Sequence, residues 1–279
     1  MRGNKIIKII AVVVFIMISI SMLYSFSKEL GRIEWTEKGP IVIAKGIGAV
    51  NPQMSLAVQR PAVIEAAKVV ALRNAIEIIK GVNLNSETTI ENHMLTNDII
   101  IKNVEGMIKT YEVGEPHYFS DGTVEIEVKI PLYENPELMR EILPMDKIGK
   151  EDIKPIKKDT KVEDYTGLIV DCRGLELMPA LTVKIYDENG NVVYSESKID
   201  GDYLFKMEGM VVYVNSEKEA KDLKDRIGTN PLMVKAKGIK GKLKTDVIIS
   251  NSDAEKLLAS PKSVEALKQC RVVFIVDNF

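Results

Sequence analysis

Histidine, cysteine and tryptophan are scarce in these 279 residues, at two, two and one. Two histidines give a catalytic triad or a histidine-rich metal centre few members to draw on. His93 follows a helix stop in a polar segment and His117 lies in a hairpin arm, so both read as solvated loop residues. No catalytic or metal-binding residue is assigned. An excess of one charge is missing too: 38 basic and 40 acidic side chains leave a net charge of −2, which excludes whole-molecule attraction to nucleic acid. Repeats and low-complexity tracts are absent, and 46% hydrophobic with 28% charged residues describes a folded chain.

Nucleotide loops are not completed either. Gly46 and Gly48 follow a strand, but Asn51 stands where the dinucleotide fingerprint needs its third glycine, so close backbone approach or a bulge explains the pair better. The run from Gly238 to Lys242 lacks the four-residue gap and the hydroxyl of a phosphate loop, and no cofactor is expected. Cysteine is absent between residues 20 and 30, so a lipidated N-terminus is not available. Cys172 and Cys270 each border an apolar strand-like run and either pair in an oxidising compartment or remain two buried thiols.

One long hydrophobic run is present. It opens at Ile6 and closes at Phe26, is uncharged over residues 9–26, and follows Arg2, Lys5 and Lys8. Eighteen helical residues at ~1.5 Å each span roughly 27 Å, close to the hydrocarbon thickness of a bilayer. Cations before the run and balanced charge after it predict a single-pass helix with its N-terminus in the cytoplasm and the body outside. Ser25 and Ser27 are small residues suited to cleavage after Ser27, which would release a secreted form instead.

Beyond the membrane segment (1–27) and a polar tether (28–40), a small α+β domain is expected over 41–133, a proline-bearing linker over 134–164 and a sheet-rich α+β domain over 165–279. In the first domain a strand over 41–50 leads to an alanine-rich helix with Pro61 at its first position and Gly81 as its stop. Two strands follow around an Asp121-Gly122 turn. In the second of them Val124, Ile126, Val128 and Ile130 alternate with charged residues, giving an antiparallel sheet one dry face for the helix to cover. In the second domain strands are expected over 166–172, 180–187, 192–195, 210–214, 232–238, 245–250 and 272–277. Helices are expected over 216–227, 252–258 and 263–268. Ser216 and Glu219 form a capping box.

Two residue sets invite functional readings. Lys235, Lys237, Lys240, Lys242 and Lys244 crowd one hairpin that would face anionic lipid or peptidoglycan, or merely protect a strand edge. Asp171, Asp187, Asp246 and Asp277 sit at strand ends, where hydrolases place acid and base groups and where loops also begin.

Over residues 41–132, Arg60, Pro61, Ala66, Ala67, Arg73, Asn74, Glu77, the Lys80-Gly81-Val82 stop, Ser86, Thr88, Val104-Glu105-Gly106 and Asp121-Gly122-Val124 form an ordered series. The series resembles the twenty-kilodalton lipoprotein family and the similar N-terminal domain of the flagellar assembly protein T. The resemblance implies a small exported α+β domain without catalytic residues, here attached by a hydrophobic segment rather than an acylated cysteine. The C-terminal part resembles that of uncharacterised members. The expected function is a non-enzymatic, membrane-anchored assembly or scaffold module of the bacterial cell envelope, partnered by the membrane and by envelope proteins or its own copies. A peptidoglycan- or lipid-binding module and a hydrolase are the alternatives.

Overall fold

The computed structural model describes residues 30–49, 53, 55–96, 104, 106–153, 155 and 163–277. The hydrophobic segment from Ile6 to Phe26 and the cleavage position at Ser27 lie outside the described residues. Among the described residues no helix is long and apolar enough to cross a membrane. The fold is mixed α+β.

The chain opens with β1 (Gly31–Thr36), a turn at Glu37 and Lys38, and β2 (Gly39–Gly48). This corrects the expectation of a polar tether over 28–40, most of which is strand. Gly31 explains the pairing: it sits at φ +143°, and a β-carbon there would lie 2.0 Å from the Ile43 carbonyl oxygen, so a side chain would hold the strands apart. Next come α1 (Leu56–Gly81), α2 (Ile90–Thr96), the short strands β3 (Glu112–Val113) and β4 (His117–Tyr118), β5 (Val124–Pro131) and α3 (Pro136–Ile142). Helix α1 starts five residues before Pro61, so the proline lies inside the helix rather than at its first position.

The described residues divide into two compact units. The first falls within Met1–Ile33, Val42–Ile78 and Tyr111–Ile130; the second takes Glu34–Ile41, Ile79–Thr110 and Pro131–Phe279. The first sheet has the order β1-β2-β5-β3, with β4 also on β5. In the first unit the dry face of β5 is Val124, Ile126, Val128 and Ile130, all buried, as their alternation requires. The buried stripe of α1 there is Val63, Ala67, Ala71 and Ala75, a strict four-residue spacing, while Ala66 faces solvent. Short side chains on the helix meet none on the strand. A β-carbon on Gly48 would lie 2.1 Å from the Val63 carbonyl oxygen, and one on Gly46 2.2 Å from that of Ala67. The two glycines are therefore packing residues, as their spacing suggests.

The second unit continues with β6 (Gly167–Asp171), β7 (Ile185–Tyr186), β8 (Val192–Tyr194), a 3-10 turn over Glu196–Lys198 and α4 (Gly201–Lys206). Then follow β9 (Val212–Val214), α5 (Glu217–Asp222), α6 (Lys224–Ile227), β10 (Pro231–Lys235), β11 (Gly238–Lys240), β12 (Asp246–Ile248), α7 (Asn251–Ala259), α8 (Pro261–Lys268) and β13 (Val272–Ile275). One sheet is wholly parallel in the order β10-β6-β13-β9. Its central strands are buried on both faces, which their unbroken apolar runs, Leu168 to Val170 and Val272 to Ile275, provide for. Ile169, Val212, Val273 and Ile275 form one face with Ala220 of α5 and Ile227 of α6. On the strands themselves, Tyr213 stacks edge-on to Phe274 and Trp35 to Tyr213, with centroids 6.0 and 5.2 Å apart. The other sheet, β11-β12-β7-β8, is antiparallel except for β12 beside β7.

Candidate functional site

The parallel sheet ends in a polar edge, because β6 and β13 both deliver their carboxyl ends there with Asp171 level with Ile275. Asp171 accepts two hydrogen bonds from the Arg173 guanidinium, at 2.9 and 2.6 Å, and one from its amide. The bond from Arg173 is the largest influence holding that carboxyl below its usual range, and Lys235 adds a smaller pull. Asp277, two residues past β13, accepts from the Gly174 amide at 2.7 Å. This edge is where open parallel sheets commonly take ligands. Its carboxylates nonetheless act as a clasp on the loop after β6.

The other two strand-end aspartates lie in the second sheet. Asp187 closes the β7–β8 turn, accepting from the Asn191 amide and side chain at 2.7 and 2.8 Å. Asp246 is buried on β12 and accepts from the Lys184 amide at 2.8 Å; burial raises its carboxyl, opposed by a hydrogen bond from Ser86. Asp246 is level with Lys184, whereas Asp187 follows the residue level with Ile248, so they occupy opposite ends of that strand pair. The four aspartates are not brought to one place.

The five lysines are all exposed but do not share a hairpin, which corrects that expectation. Lys235 ends β10 in the parallel sheet, while Lys240 ends β11, whose hairpin partner is β12. The reason is that β10 pairs with β6, more than 60 residues earlier in sequence, a choice that a local lysine pattern does not reveal. Lys237 lies between the two strands, and Lys242 and Lys244 in the β11–β12 turn. Lys244 is paired with Glu176 at 2.8 Å, and the Lys240 ammonium stands 4.0 Å from the Tyr186 ring centre.

Cys172 and Cys270 are free, buried thiols. The register sets Val272 beside Leu168 and Ile275 beside Asp171, so Cys172 leaves one end of the strand pair and Cys270 precedes the other. The four strand steps from the level of Cys172 to Val272 alone span about 13 Å, and Cys270 lies two residues before Val272, which puts a disulfide out of reach. Burial pushes both thiols up, Cys270 to about 11. His93 is half-buried in α2, not in a solvated loop, and burial lowers its pKa. His117 is exposed on β4 with its ring edge-on to Phe119, 4.8 Å between centres. Among the described residues no cluster of histidine, cysteine or carboxylate could hold a metal ion.

Sequence reasoning missed two arrangements. Arg226 is buried and donates to the carbonyl oxygens of Met207 and, at 2.8 Å, Gly209, so a cation closes the C-terminal end of α4. A single arginine in a charged helix gives no signal of that role. In the first unit Ile47, Val58, Val69, Val113, Tyr118 and Phe119 are exposed large apolar side chains, of which Ile47, Val58, Tyr118 and Phe119 belong to the segments around Gly48. Ile47 between two glycines, and Tyr118-Phe119 just before a turn, were the visible hints.

A family model described as the second domain of Treponema pallidum Tp0624 matches residues 167–278. The match begins with β6 and ends just past β13, so it takes in all of the parallel sheet, and the likeness concerns that part of the chain. No curated protein matches the chain.

Proposed function

We propose that this protein is a non-enzymatic module of the bacterial cell envelope, anchored by its N-terminal hydrophobic segment, whose two folded units serve assembly rather than catalysis. The observation that carries the reading is the uncharged run to Phe26 behind three cations, followed by β1 at Gly31. The resemblance of residues 41–132 to the twenty-kilodalton lipoprotein family and to the flagellar assembly protein T supports an exported scaffold.

The polar groups favour a structural role as well. The strand-end carboxylates are committed to loop amides, a guanidinium and a turn asparagine. Crosslinking in intact cells with a short amine-reactive reagent tests the assembly role. Discrete adducts to envelope proteins or to a second copy are expected; uncrosslinked monomer alone, under conditions that trap a known envelope complex, would count against it.

A further inference from the structure

We propose that one end of the first unit seats directly on the extracytoplasmic lipid surface, inserting Ile47, Val58, Tyr118 and Phe119 at the headgroup boundary. This rests on the membrane-anchor reading above and adds to it a second, shallow contact.

Four elements meet at that end. Strand β2 runs towards Gly48. Strand β1, joined to it by a two-residue turn, begins beside Ile43 and Ala44, so the chain arrives from the Gly48 side. Helix α1 runs the opposite way to β2: Gly48 meets Val63, Gly46 meets Ala67 and Ala71, and Gly31 meets Ile78. Its first turns, with Val58, therefore lie at and beyond Gly48. Strand β5 starts at the same end, because Lys45 pairs with Glu125 at 2.9 Å, and the turn before it is closed by Phe119 donating to Thr123 at 3.0 Å. Ile47, Val58, Tyr118 and Phe119 are 54%, 57%, 57% and 41% exposed.

Chain length selects lipid as the occupant. Only Ser27, Lys28, Glu29 and Leu30 separate Phe26 from Gly31. Five Cα steps at ~3.3–3.6 Å reach roughly 18 Å at most. A membrane segment that ends at Phe26, as proposed above, thus holds the arriving end of β1 within the headgroup zone. Exposed Tyr and Phe suit that zone, and apolar side chains of surface-bound elements sink ~5–10 Å into it. The acids Asp121 and Glu125 at this end are matched by Lys45, paired with Glu125, and by the exposed Arg60 of α1, so its charges cancel and the contact is apolar rather than electrostatic.

The test uses the full chain reconstituted in phosphatidylcholine vesicles, with single cysteines introduced by Ile47→Cys, Tyr118→Cys or Phe119→Cys and spin-labelled. The buried Cys172 and Cys270 stay unlabelled in the folded chain. Glu112→Cys is the control, paired with Lys129 about five strand steps up β5 from Val124, or roughly 16 Å. The expected result is several-fold higher oxygen-to-nickel accessibility at 47, 118 and 119 than at 112, unchanged by 0.5 M salt, at ~3 Å screening length or more. Labels that are all aqueous while the chain floats with the vesicles overturn the docking and leave the anchor standing. A chain that does not float overturns both. Labels that enter lipid only with anionic vesicles and low salt replace apolar insertion with charge attraction and overturn the proposal as stated.

Discussion

Asn135 and Thr110 exchange a reciprocal pair of hydrogen bonds: the Asn135 side-chain oxygen accepts from the Thr110 amide at 2.8 Å, and its nitrogen donates to the Thr110 carbonyl at 2.9 Å. The same side chain also accepts from the Lys109 amide at 2.8 Å and donates to the Pro131 carbonyl at 3.0 Å. A buried amide with both of its ends used is a peptide mimic that joins two chain segments. Asn135→Asp keeps the acceptor and loses both donations, placing a carboxylate against two carbonyls. A loss of about 2–4 kcal/mol is expected in urea unfolding. A change below about 0.5 kcal/mol would show that the joint is not stabilising.

The Gly46 interface with α1 predicts an asymmetry between two glycines. A methyl group at Gly46 would lie 2.2 Å from the Ala71 amide nitrogen, whereas at Gly81 nothing lies within 4 Å. Gly46→Ala should destabilise by about 1–3 kcal/mol or more through overpacking. Gly81→Ala should be neutral or gain up to ~1 kcal/mol from reduced chain entropy. Thermal unfolding of the two variants side by side decides the matter. Equal melting temperatures would contradict the close helix–strand approach.

The cysteines predict a mass-spectrometric result. Alkylation after denaturation should add two groups with or without reductant, since the thiols are free. Alkylation of the folded chain near pH 8 should be slow, because burial raises both thiols, Cys270 to about 11. Loss of two adducts in the absence of reductant would reveal a disulfide that the register forbids.

Asp246 predicts a pH dependence with a definite sign. Its folded-state pKa is raised above the usual 3.8, chiefly by burial, so the folded chain binds this proton more tightly than the unfolded one. Its stabilising contribution is complete below the unfolded value and is lost as the pH rises through the folded one. Asp246→Asn removes that loss. The unfolding free energy of the variant relative to the parent should therefore rise from about pH 4 upward and then level off. A difference that is flat with pH, or that falls, would contradict the placement of this carboxyl.

What could be read from the sequence depended on the length of the elements. The alternation from Val124 to Ile130 gave β5 and its dry face residue by residue. Ser216 and Glu219 form the expected capping box, with the Glu219 amide donating to the Ser216 hydroxyl at 3.2 Å. The helix beyond it is broken at Leu223 into α5 and α6. Strands of two or three residues such as β3, β7 and β11 are too short to show a period. β1 escaped notice because Gly31 and the charged Arg32-Ile33-Glu34 resemble a linker until its pairing with β2 is known. Lys235 and Lys240 looked like one surface because parallel pairing joins β10 to distant β6, information that no local pattern carries. Ile47 between two glycines and Tyr118-Phe119 before a turn are visible in the sequence, but their sharing of one end follows only from the pairing of Lys45 with Glu125 and the packing of Gly48 on Val63.

Carbonate extraction of membranes, followed by intact-mass measurement of the recovered chain, tests the central claim most directly. A carbonate-resistant protein that retains residues 1–27 is expected, with its folded body cleaved by protease added from the extracytoplasmic side. A protein recovered in the soluble fraction, or one whose mass shows that it begins at Lys28, would contradict it.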